Sequence, residues 1–236
     1  MDAPLPAGLV PAIEEFLRND NQRVAGLDVY EDVFSNPVMF PLQRQCEMAE
    51  MMRTARSINP QVVMEIGSDK AGGYYHWIKS LPSVRRAIAC EVRGTPYADA
   101  FSKAIPYVDQ LFVPDSSYAL HVTSMVEQWL GKDKIDCLFI DGDKSHFDTD
   151  FYAYLPLMNP RGIVFMHDIN DRPPRLAYDK CSNAYAHREY IDIEDSLAAM
   201  RRQQAGVPVS CAHEGWLRHW GGASCGVGII YLGGTP

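Results

Sequence analysis

The sequence lacks the features that mark several specialised classes of protein. No apolar run approaches the roughly 20 residues of a membrane-spanning helix, and there is no C-x-x-C pair, internal repeat or stripe of basic residues. The first 16 residues contain neither a basic segment nor a long apolar stretch, so we expect no secretory signal peptide. With a net charge of −8, the chain is expected to bind neither nucleic acid nor a membrane.

The cysteines indicate a reducing compartment. Cys90 and Cys137 stand inside apolar runs, where a cysteine usually packs as a small buried thiol. Unpaired thiols persist in the cytoplasm, whereas oxidising compartments favour disulfides. We therefore predict a cytoplasmic protein.

The remaining composition is ordinary for a globular protein, with 236 residues of which 47% are hydrophobic and 22% charged. This length suits one large α/β domain, with or without an appendage. Residues 42–57 are rich in strong helix formers, and their buried face is predicted to comprise Leu42, Cys46, Met48, Met52 and Ala55. We place a boundary after this helix, with an N-terminal helical extension over 1–57 and the main domain over 58–236.

After Pro60, short apolar runs alternate with segments long enough for a helix. Each run is continuous, which is typical of a parallel strand covered on both faces. The predicted strands span 62–66, 86–90, 111–113, 135–140 and 162–166, and the predicted crossover helices 76–81, 96–105, 117–131 and 146–158. A last helix over 193–205 and strands in VPVSCA and GVGIIYL complete the pattern. The prediction is an α/β protein with a Rossmann-like doubly wound sheet of seven strands, mostly parallel, with one antiparallel strand near the C-terminus.

A glutamate and three glycines lie where a doubly wound sheet binds its ligands. Glu65 is the last but one residue of the first strand, and Gly67, Gly72 and Gly73 follow it. Glycine at these positions lets a ligand approach the backbone closely. The spacing is G-x4-G-G rather than the G-x-G-x-x-G of a dinucleotide site, and a tight strand-to-helix turn is the alternative explanation.

The second and third strands also end in polar groups. Glu91 follows the second strand, where an acidic residue can accept hydrogen bonds from the hydroxyls of a ribose; an ordinary exposed glutamate is the alternative. Asp115 and Ser116 follow the third strand, where they could face an adenine edge. A serine that caps the next helix is the alternative there.

The fourth strand ends in DGDKSHF, which contains Asp141, Lys144 and His146, and Asp168 follows the fifth. Neighbouring strands lie about 4.8 Å apart, so Asp141 and Asp168 are expected to face each other. Two carboxylates that close repel unless a cation or a shared proton relieves them. Mg²⁺ would do so and would acidify a bound hydroxyl. Without it, Lys144 or His146 must neutralise the pair and act as the base.

Five motifs of this chain resemble the successive motifs of class I S-adenosylmethionine (SAM)-dependent methyltransferases. In order along the chain they are VVMEIGS…GG, ACE, PDSS, FIDGDKSHF and GIVFMHDI. The similarity is greatest to small-molecule O-methyltransferases of the catechol, caffeoyl-CoA and bacterial macrolide-sugar types. It covers about 42–232, with its most specific part between 135 and 169. The resemblance implies methyl transfer from SAM to a hydroxyl of a small-molecule acceptor, with the extension over 1–57 covering the active site.

The resemblance also assigns individual residues. Those assigned to SAM are Glu65 and Gly67 at the methionine part, Glu91 at the ribose, Asp115 and Ser116 near the adenine, and Gly72 and Gly73 in the glycine loop that binds the cofactor. Asp141 would stand beside the methionine end and would ligate Mg²⁺ together with Asp168. Lys144 falls where catechol-type relatives place the lysine that takes the substrate proton, with His146 as the other candidate base.

Two positions depart from the relatives that use a metal. Ile169 stands where the catechol type has an asparagine as third ligand, and His167 stands where the sugar type has an acidic residue. Histidine is a poor ligand for a hard cation such as Mg²⁺. The predicted metal site therefore has two carboxylate ligands rather than three.

Two other functions remain open on this scaffold. A Rossmann-like NAD(P) oxidoreductase would use the same strand ends, although the third glycine of G-x-G-x-x-G is absent. A non-catalytic cofactor-binding or assembly protein could retain the fold. The expected partner is a small hydroxylated molecule, with the protein as a monomer or a homodimer. We expect 1–40 and 170–192 to cover the cofactor site, and a solvated loop is the alternative for 170–192. In the loop 213–222, Trp216 and Trp220 either cover the core or line the acceptor pocket.

Overall fold

The computed structural model describes residues 43, 45–95, 98–191 and 225–234 of the chain. The predicted helix 193–205, the VPVSCA strand and the loop 213–222 lie outside these residues, as does the N-terminal segment 1–40. Among the described residues, no helix is both long enough and apolar enough to cross a membrane.

Seven strands form one mixed sheet. They are β1 (Val62–Ile66), β2 (Arg86–Cys90), β3 (Asp109–Val113), β4 (Ile135–Ile140), β5 (Met158–His167), β6 (Ala186–Tyr190) and β7 (Val227–Tyr231). Their order in the sheet is β3-β2-β1-β4-β5-β7-β6. The first five strands are parallel, and β7 runs antiparallel to both β5 and β6. The predicted fold class is therefore confirmed.

The described helices are α1 (Gln45–Arg56), α2 (Gly72–Ser80), α3 (Ala98–Ala104), α4 (Leu120–Leu130), α5 (Phe147–Tyr154) and α6 (Arg172–Ser182). The four crossover helices lie where the sequence predicts them, with shifted ends. The helix after β1 begins at Gly72 rather than at 76, because both glycines lie inside its first turn. The helix after β4 ends at Tyr154 rather than at 158, since Pro156 in the following 3-10 turn cannot continue an α-helix.

Apolar side chains pack on both faces of the sheet. Successive side chains of a strand point to opposite faces, so Phe139 belongs to one core and Leu138 to the other. The methionine stripe of α1 packs into the first core, as predicted, through Met48, Met52 and Ala55, which are fully buried. Cys90 and Cys137 are buried free thiols, which the sequence also predicted.

The described part of the segment 170–192 forms α6 and the edge strand β6, so the solvated-loop alternative is wrong, and the covering of the cofactor site stays a prediction. Pro173 and Pro174 lie in the first turn of α6. Proline is well tolerated there because the first backbone N–H groups of a helix have no intrahelical partner. β6 is rich in polar residues because it lies at the edge of the sheet.

Polar contacts join α1, the described part of the N-terminal extension, to the main domain. Arg188 of β6 donates hydrogen bonds to Glu50 at 2.5 Å and to Thr54 at 2.7 Å. Arg56 donates to the carbonyl oxygen of Ser80 at 2.9 Å. The helix thus shares a core with the sheet, and the boundary at residue 57 stays a prediction.

Candidate cofactor and active site

The carboxyl ends of the central strands surround a cavity of about 520 Å³. This volume lies within the usual range of small-molecule sites, about 300–1,000 Å³. Ten of the eleven predicted site residues line it, namely Glu65, Gly67, Gly72, Gly73, Glu91, Asp115, Ser116, Asp141, Lys144 and Asp168. The eleventh, His146, does not. The fold therefore brings together groups that are up to 103 positions apart (168 − 65).

Gly67 and Gly73 occupy positions that have no room for a larger side chain. Gly67 has a φ of +85°, and a Cβ on it would lie 2.3 Å from the backbone oxygen of Asp141. A Cβ on Gly73 would lie 2.3 Å from Oε1 of Glu65. The two glycines let the end of β1 approach β4 and let the Glu65 carboxyl group lie against the first turn of α2.

Glu65 is a buried carboxyl group with spare hydrogen-bonding capacity. Its side chain is 1% exposed, and among the described residues none donates a hydrogen bond to its Oε2. Burial raises its pKa well above the ordinary value, and the nearby carboxylates of Asp141, Glu91 and Asp69 raise it further. A buried acceptor beside a cavity is usually satisfied by a ligand or water. A cationic ligand group, such as an ammonium, would suit it best.

Glu91 is buried rather than an ordinary exposed glutamate. It is 7% exposed, and its carboxylate accepts hydrogen bonds from the backbone N–H groups of Asp69 at 3.0 Å and Arg93 at 3.2 Å. These bonds fix the carboxylate at the wall of the cavity. Nε of Arg93 donates a third hydrogen bond, at 3.4 Å. An ionised carboxylate can accept about four hydrogen bonds, so Glu91 retains capacity for a hydroxyl of a ligand.

The segment after β3 does not cap the next helix through a serine. Helix α4 begins at Leu120, and its N-cap residue is Ala119. Asp115 instead accepts a hydrogen bond from the backbone N–H of Ser116 at 2.7 Å, which is the main reason that the pKa of Asp115 is lowered. The buried Oγ of Ser116 has no hydrogen-bond partner among the described residues. The serine-cap alternative is therefore wrong.

Two side chains of helix α5 form hydrogen bonds with Ser117, at the end of this segment. Ser117 donates a hydrogen bond to Oδ1 of Asp150 at 2.6 Å, and the Tyr154 hydroxyl donates to the carbonyl oxygen of Ser117 at 2.7 Å. Asp150 is fully buried, and burial raises its pKa from 3.8 to about 7. The position of the cavity wall at Ser116 thus depends on a buried carboxyl group that lines no part of the cavity.

Asp141 and Asp168 lie close together, but an imidazole separates them. Strands β4 and β5 are parallel neighbours, as predicted, and their register pairs Ile140 with Met166. Asp141 is therefore level with His167, one residue before Asp168. Nδ1 of His167 lies 3.2 Å from Oδ1 of Asp141 and 3.3 Å from Oδ1 of Asp168. This corrects the expectation that the two carboxylates face each other directly.

Both ring nitrogens of His167 face carboxylates. Its Nε2 lies 3.1 Å from Oε2 of Glu47 in α1, and the other oxygen of Glu47 accepts the backbone N–H of Gly226 at 2.9 Å. Ionised carboxylates only accept hydrogen bonds, so each ring nitrogen must donate one. Burial alone would lower the pKa of His167, but Asp141, Asp168 and Glu47 outweigh it and raise the pKa well above its ordinary value.

Lys144 is held as an ammonium by two carboxylates. Its Nζ lies 2.5 Å from Oδ2 of Asp168 and 3.1 Å from Oδ2 of Asp171. Burial acts against the charged form, but the hydrogen bonds and charges of the two aspartates raise the pKa above its ordinary value. A base needs the opposite shift, so in this arrangement Lys144 is a hydrogen-bond donor.

His146 lies outside the cavity, at the start of α5. Its ring stacks on Tyr118, with centroids 4.6 Å apart, and its Nδ1 lies 3.0 Å from Oδ2 of Asp143. Of the two predicted bases, Lys144 is therefore the one at the cavity.

The ligand atoms of Asp141, His167 and Asp168 lie within 4.8 Å of one another, which is close enough for a metal ion. However, every oxygen of the two aspartates already has a protein donor. Gln43 donates to Oδ2 of Asp141 at 2.5 Å, Lys144 binds Oδ2 of Asp168, and His167 faces the other two oxygens. Mg²⁺ prefers oxygen ligands and retains several waters, and here it would meet an imidazolium and an ammonium. This donor set does not fit Mg²⁺.

Gln43, Glu47 and Asp171 are site residues that no sequence pattern indicated, and the sequence suggested His167 only as a poor metal ligand. Glu47 is 120 positions from His167, so no local pattern links the two. The sequence offered one signal: Glu47 lies next to the methionines that form the buried face of α1. A charged residue that is fully buried is almost always paired, so a partner for Glu47 could have been expected.

No protein-family model matches the chain, and no curated protein sequence matches it significantly. Solved structures of similar fold include an O-methyltransferase from Bacillus cereus in complex with SAH, with 13% identity, a TM-score of 0.56, and coverage of 93% of this chain and 97% of that one. The O-methyltransferase TomG from Streptomyces achromogenes, involved in tomaymycin synthesis and in complex with SAM, has 12% identity, a TM-score of 0.55, and coverage of 94% and 96%. The SAH-bound Podospora anserina methyltransferase PaMTH1 has 14% identity, a TM-score of 0.53, and coverage of 98% of both chains. At these identities the similarity establishes the fold, and it confirms that this chain resembles methyltransferases in fold.

Proposed function

We propose that the protein transfers a methyl group from SAM to a hydroxyl group of a small-molecule acceptor. The observation that carries this proposal is the set of groups at the strand ends. A buried glutamate with an unpartnered oxygen, two glycines that have no room for a Cβ and a second fixed carboxylate all line one cavity. The similar folds of solved SAM- and SAH-bound methyltransferases support the same function.

The described residues fit the three parts of SAM. Glu65 offers its free Oε2 to the ammonium of the methionine part. Glu91 offers a fixed carboxylate to the ribose hydroxyls, and Ser116 offers an unpartnered hydroxyl near the adenine. SAM supplies the electrophilic methyl group on a positively charged sulfur. Because this reaction is a simple displacement, we expect the protein to contribute mainly by positioning the two reactants.

Lys144 is our candidate for the residue at the acceptor hydroxyl. The positive charge of bound SAM would oppose the raised pKa of Lys144, since like charges disfavour the ammonium. The lysine could then take the hydroxyl proton, and Asp168 and Asp171 would hold the ammonium that results.

Mg²⁺ was part of the function predicted from the sequence. The closeness of Asp141 and Asp168 favours Mg²⁺, and the three protein groups that face their four oxygens count against it. The acceptor and the homodimer remain proposals without a described contact. The role of 1–57 as a cover of the site also remains a proposal, supported by Gln43, which lines the cavity and donates to Asp141.

Calorimetry with SAM and with NAD tests the cofactor, and transfer of a labelled methyl group from SAM to a panel of phenols and sugars tests the reaction. We expect binding of SAM but not of NAD, and transfer to at least one hydroxylated acceptor. Binding of NAD alone would support the oxidoreductase alternative. Binding of SAM without transfer to any acceptor would support the non-catalytic one. Glu65→Gln should weaken SAM binding and serves as the control for specific binding.

A further inference from the structure

A buried chain of three groups runs from α1 to the end of β4. Glu47 is fully buried, and its Oε2 lies 3.1 Å from Nε2 of His167. Nδ1 of the same ring lies 3.2 Å from Oδ1 of Asp141. Asp168 lies 3.3 Å from the same nitrogen. One imidazole thus contacts three carboxylates. Because hydrogen-bond acceptors face both ring nitrogens, both nitrogens must donate, and an imidazole with two N–H groups carries a positive charge.

We propose that His167, held by Glu47, supplies the positive charge that a divalent cation would otherwise supply between Asp141 and Asp168, and that methyl transfer here needs no metal. This inference rests on the proposed function. His167 acts as a positioning residue, because its Nδ1 contacts Asp141 and so fixes that carboxylate at the wall of the cavity.

The arrangement of charges explains why one imidazolium is sufficient. Lys144 binds the far oxygen of Asp168, and Gln43 binds the far oxygen of Asp141, so His167 has only the two inner oxygens to stabilise. A third carboxylate, that of Glu47, lies 3.1 Å from Nε2 of the same ring and adds its negative charge on the other side of the imidazole. Buried charges are retained only when they are paired, and Glu47 therefore holds the positive charge in place.

Replacement of His167 should convert the site to one that binds metal. In His167→Glu, carboxylates occupy the space between the aspartates, and oxygen ligands of this kind are those that Mg²⁺ prefers. In His167→Gln, the charge is lost and no strong ligand is gained. His187→Glu, on the edge strand β6 and outside the cavity, makes the same substitution elsewhere and is the matched control.

The experiment measures methyl transfer with EDTA and with Mg²⁺, and measures SAM and Mg²⁺ binding by calorimetry. The wild-type protein should keep full activity in EDTA and bind no Mg²⁺ in the presence of SAM. His167→Gln should bind SAM normally and lose about 10²-fold in kcat, as expected when a fixed charge is removed from a site. His167→Glu should bind Mg²⁺ and depend on it for activity, whereas His187→Glu should behave as wild type.

Two outcomes would overturn the inference: loss of wild-type activity in EDTA with recovery on adding Mg²⁺, or normal kcat in His167→Gln. If His167→Glu does not fold, the wild-type measurements still decide. Failure of the wild-type protein to bind SAM would instead reject the proposed function, so the two failures are distinguishable.

Discussion

Asp150 should make the protein less stable as the pH rises from about 4 to about 7. Its carboxyl group is fully buried and receives one hydrogen bond, from Ser117, while Oδ2 has no partner among the described residues. Burial disfavours the charged form and raises the pKa of Asp150 from 3.8 to about 7. The unfolded chain therefore releases this proton near pH 4, and the folded chain retains it until about pH 7.

The size of the effect follows from the difference between the two pKa values. A difference of about 3 corresponds to about 4 kcal/mol, at about 1.4 kcal/mol for each pH unit. The folded state binds the extra proton, so this stabilisation is fully present below pH 4. It decreases as the pH rises and is lost once the pH passes the folded pKa, about 7. Above that pH, Asp150 should cause no further change of the free energy of unfolding with pH.

Asp150→Asn removes the proton and keeps an oxygen that can accept from Ser117. The free energies of unfolding of both proteins should be measured by urea titration from pH 4 to pH 8. The difference, Asp150→Asn minus wild type, should increase by about 4 kcal/mol across this range. Asp148→Asn is the control on the same helix. A hydrogen bond from Lys180 is the main reason that the pKa of Asp148 is lowered, so its titration lies below this range.

A difference that stays constant from pH 4 to pH 8 would refute the reasoning, because it would mean that Asp150 has the same pKa in the folded and unfolded states. SAM affinity measured over the same range gives a second result. If the Asp150–Ser117 bond positions the cavity wall, any change of SAM affinity with pH that comes from Asp150 should be absent in Asp150→Asn.

Three further predictions concern the cavity. Glu91→Ala should weaken SAM binding by about 1–3 kcal/mol, since charge-assisted hydrogen bonds are lost, and unchanged affinity by calorimetry would remove Glu91 from the site. Lys144→Met should lower kcat by about 10²-fold or more, and Lys144→Arg should be equally slow, because arginine keeps the charge but cannot act as a base; an active arginine variant would contradict that role. Gly67→Ala should lower the free energy of unfolding by at least about 1–2 kcal/mol because of its positive φ, and by more because the new Cβ would clash with Asp141. Gly131→Ala is the control, since Gly131 also has a positive φ but, among the described residues, no atom lies within 4 Å of the position that a Cβ would take. Equal losses for the two glycines on urea unfolding would contradict the close approach of β1 and β4.

The central strands could be predicted to the residue from the chain alone. Segments 62–66, 86–90 and 135–140 agree in both ends with β1, β2 and β4. A strand covered on both faces is a continuous apolar run, and this signal is local. The polar groups of the site follow from the same signal, because the carboxyl ends of parallel strands meet at one edge of the sheet.

Only the tertiary structure decided how those groups are paired. The register of β4 and β5 places His167 level with Asp141, and α1 brings Glu47 to the other side of the imidazole, 120 positions away. The tertiary structure also decides that 170–192 contains α6 and β6, because the polar strand β6 is stabilised by pairing with β7 at the sheet edge. Local patterns determine which residues reach the end of a strand, since they depend on neighbours within a few positions. The partner of each charge depends on contacts between residues far apart in the chain. These contacts therefore also determine whether side chains or a metal ion neutralise Asp141 and Asp168.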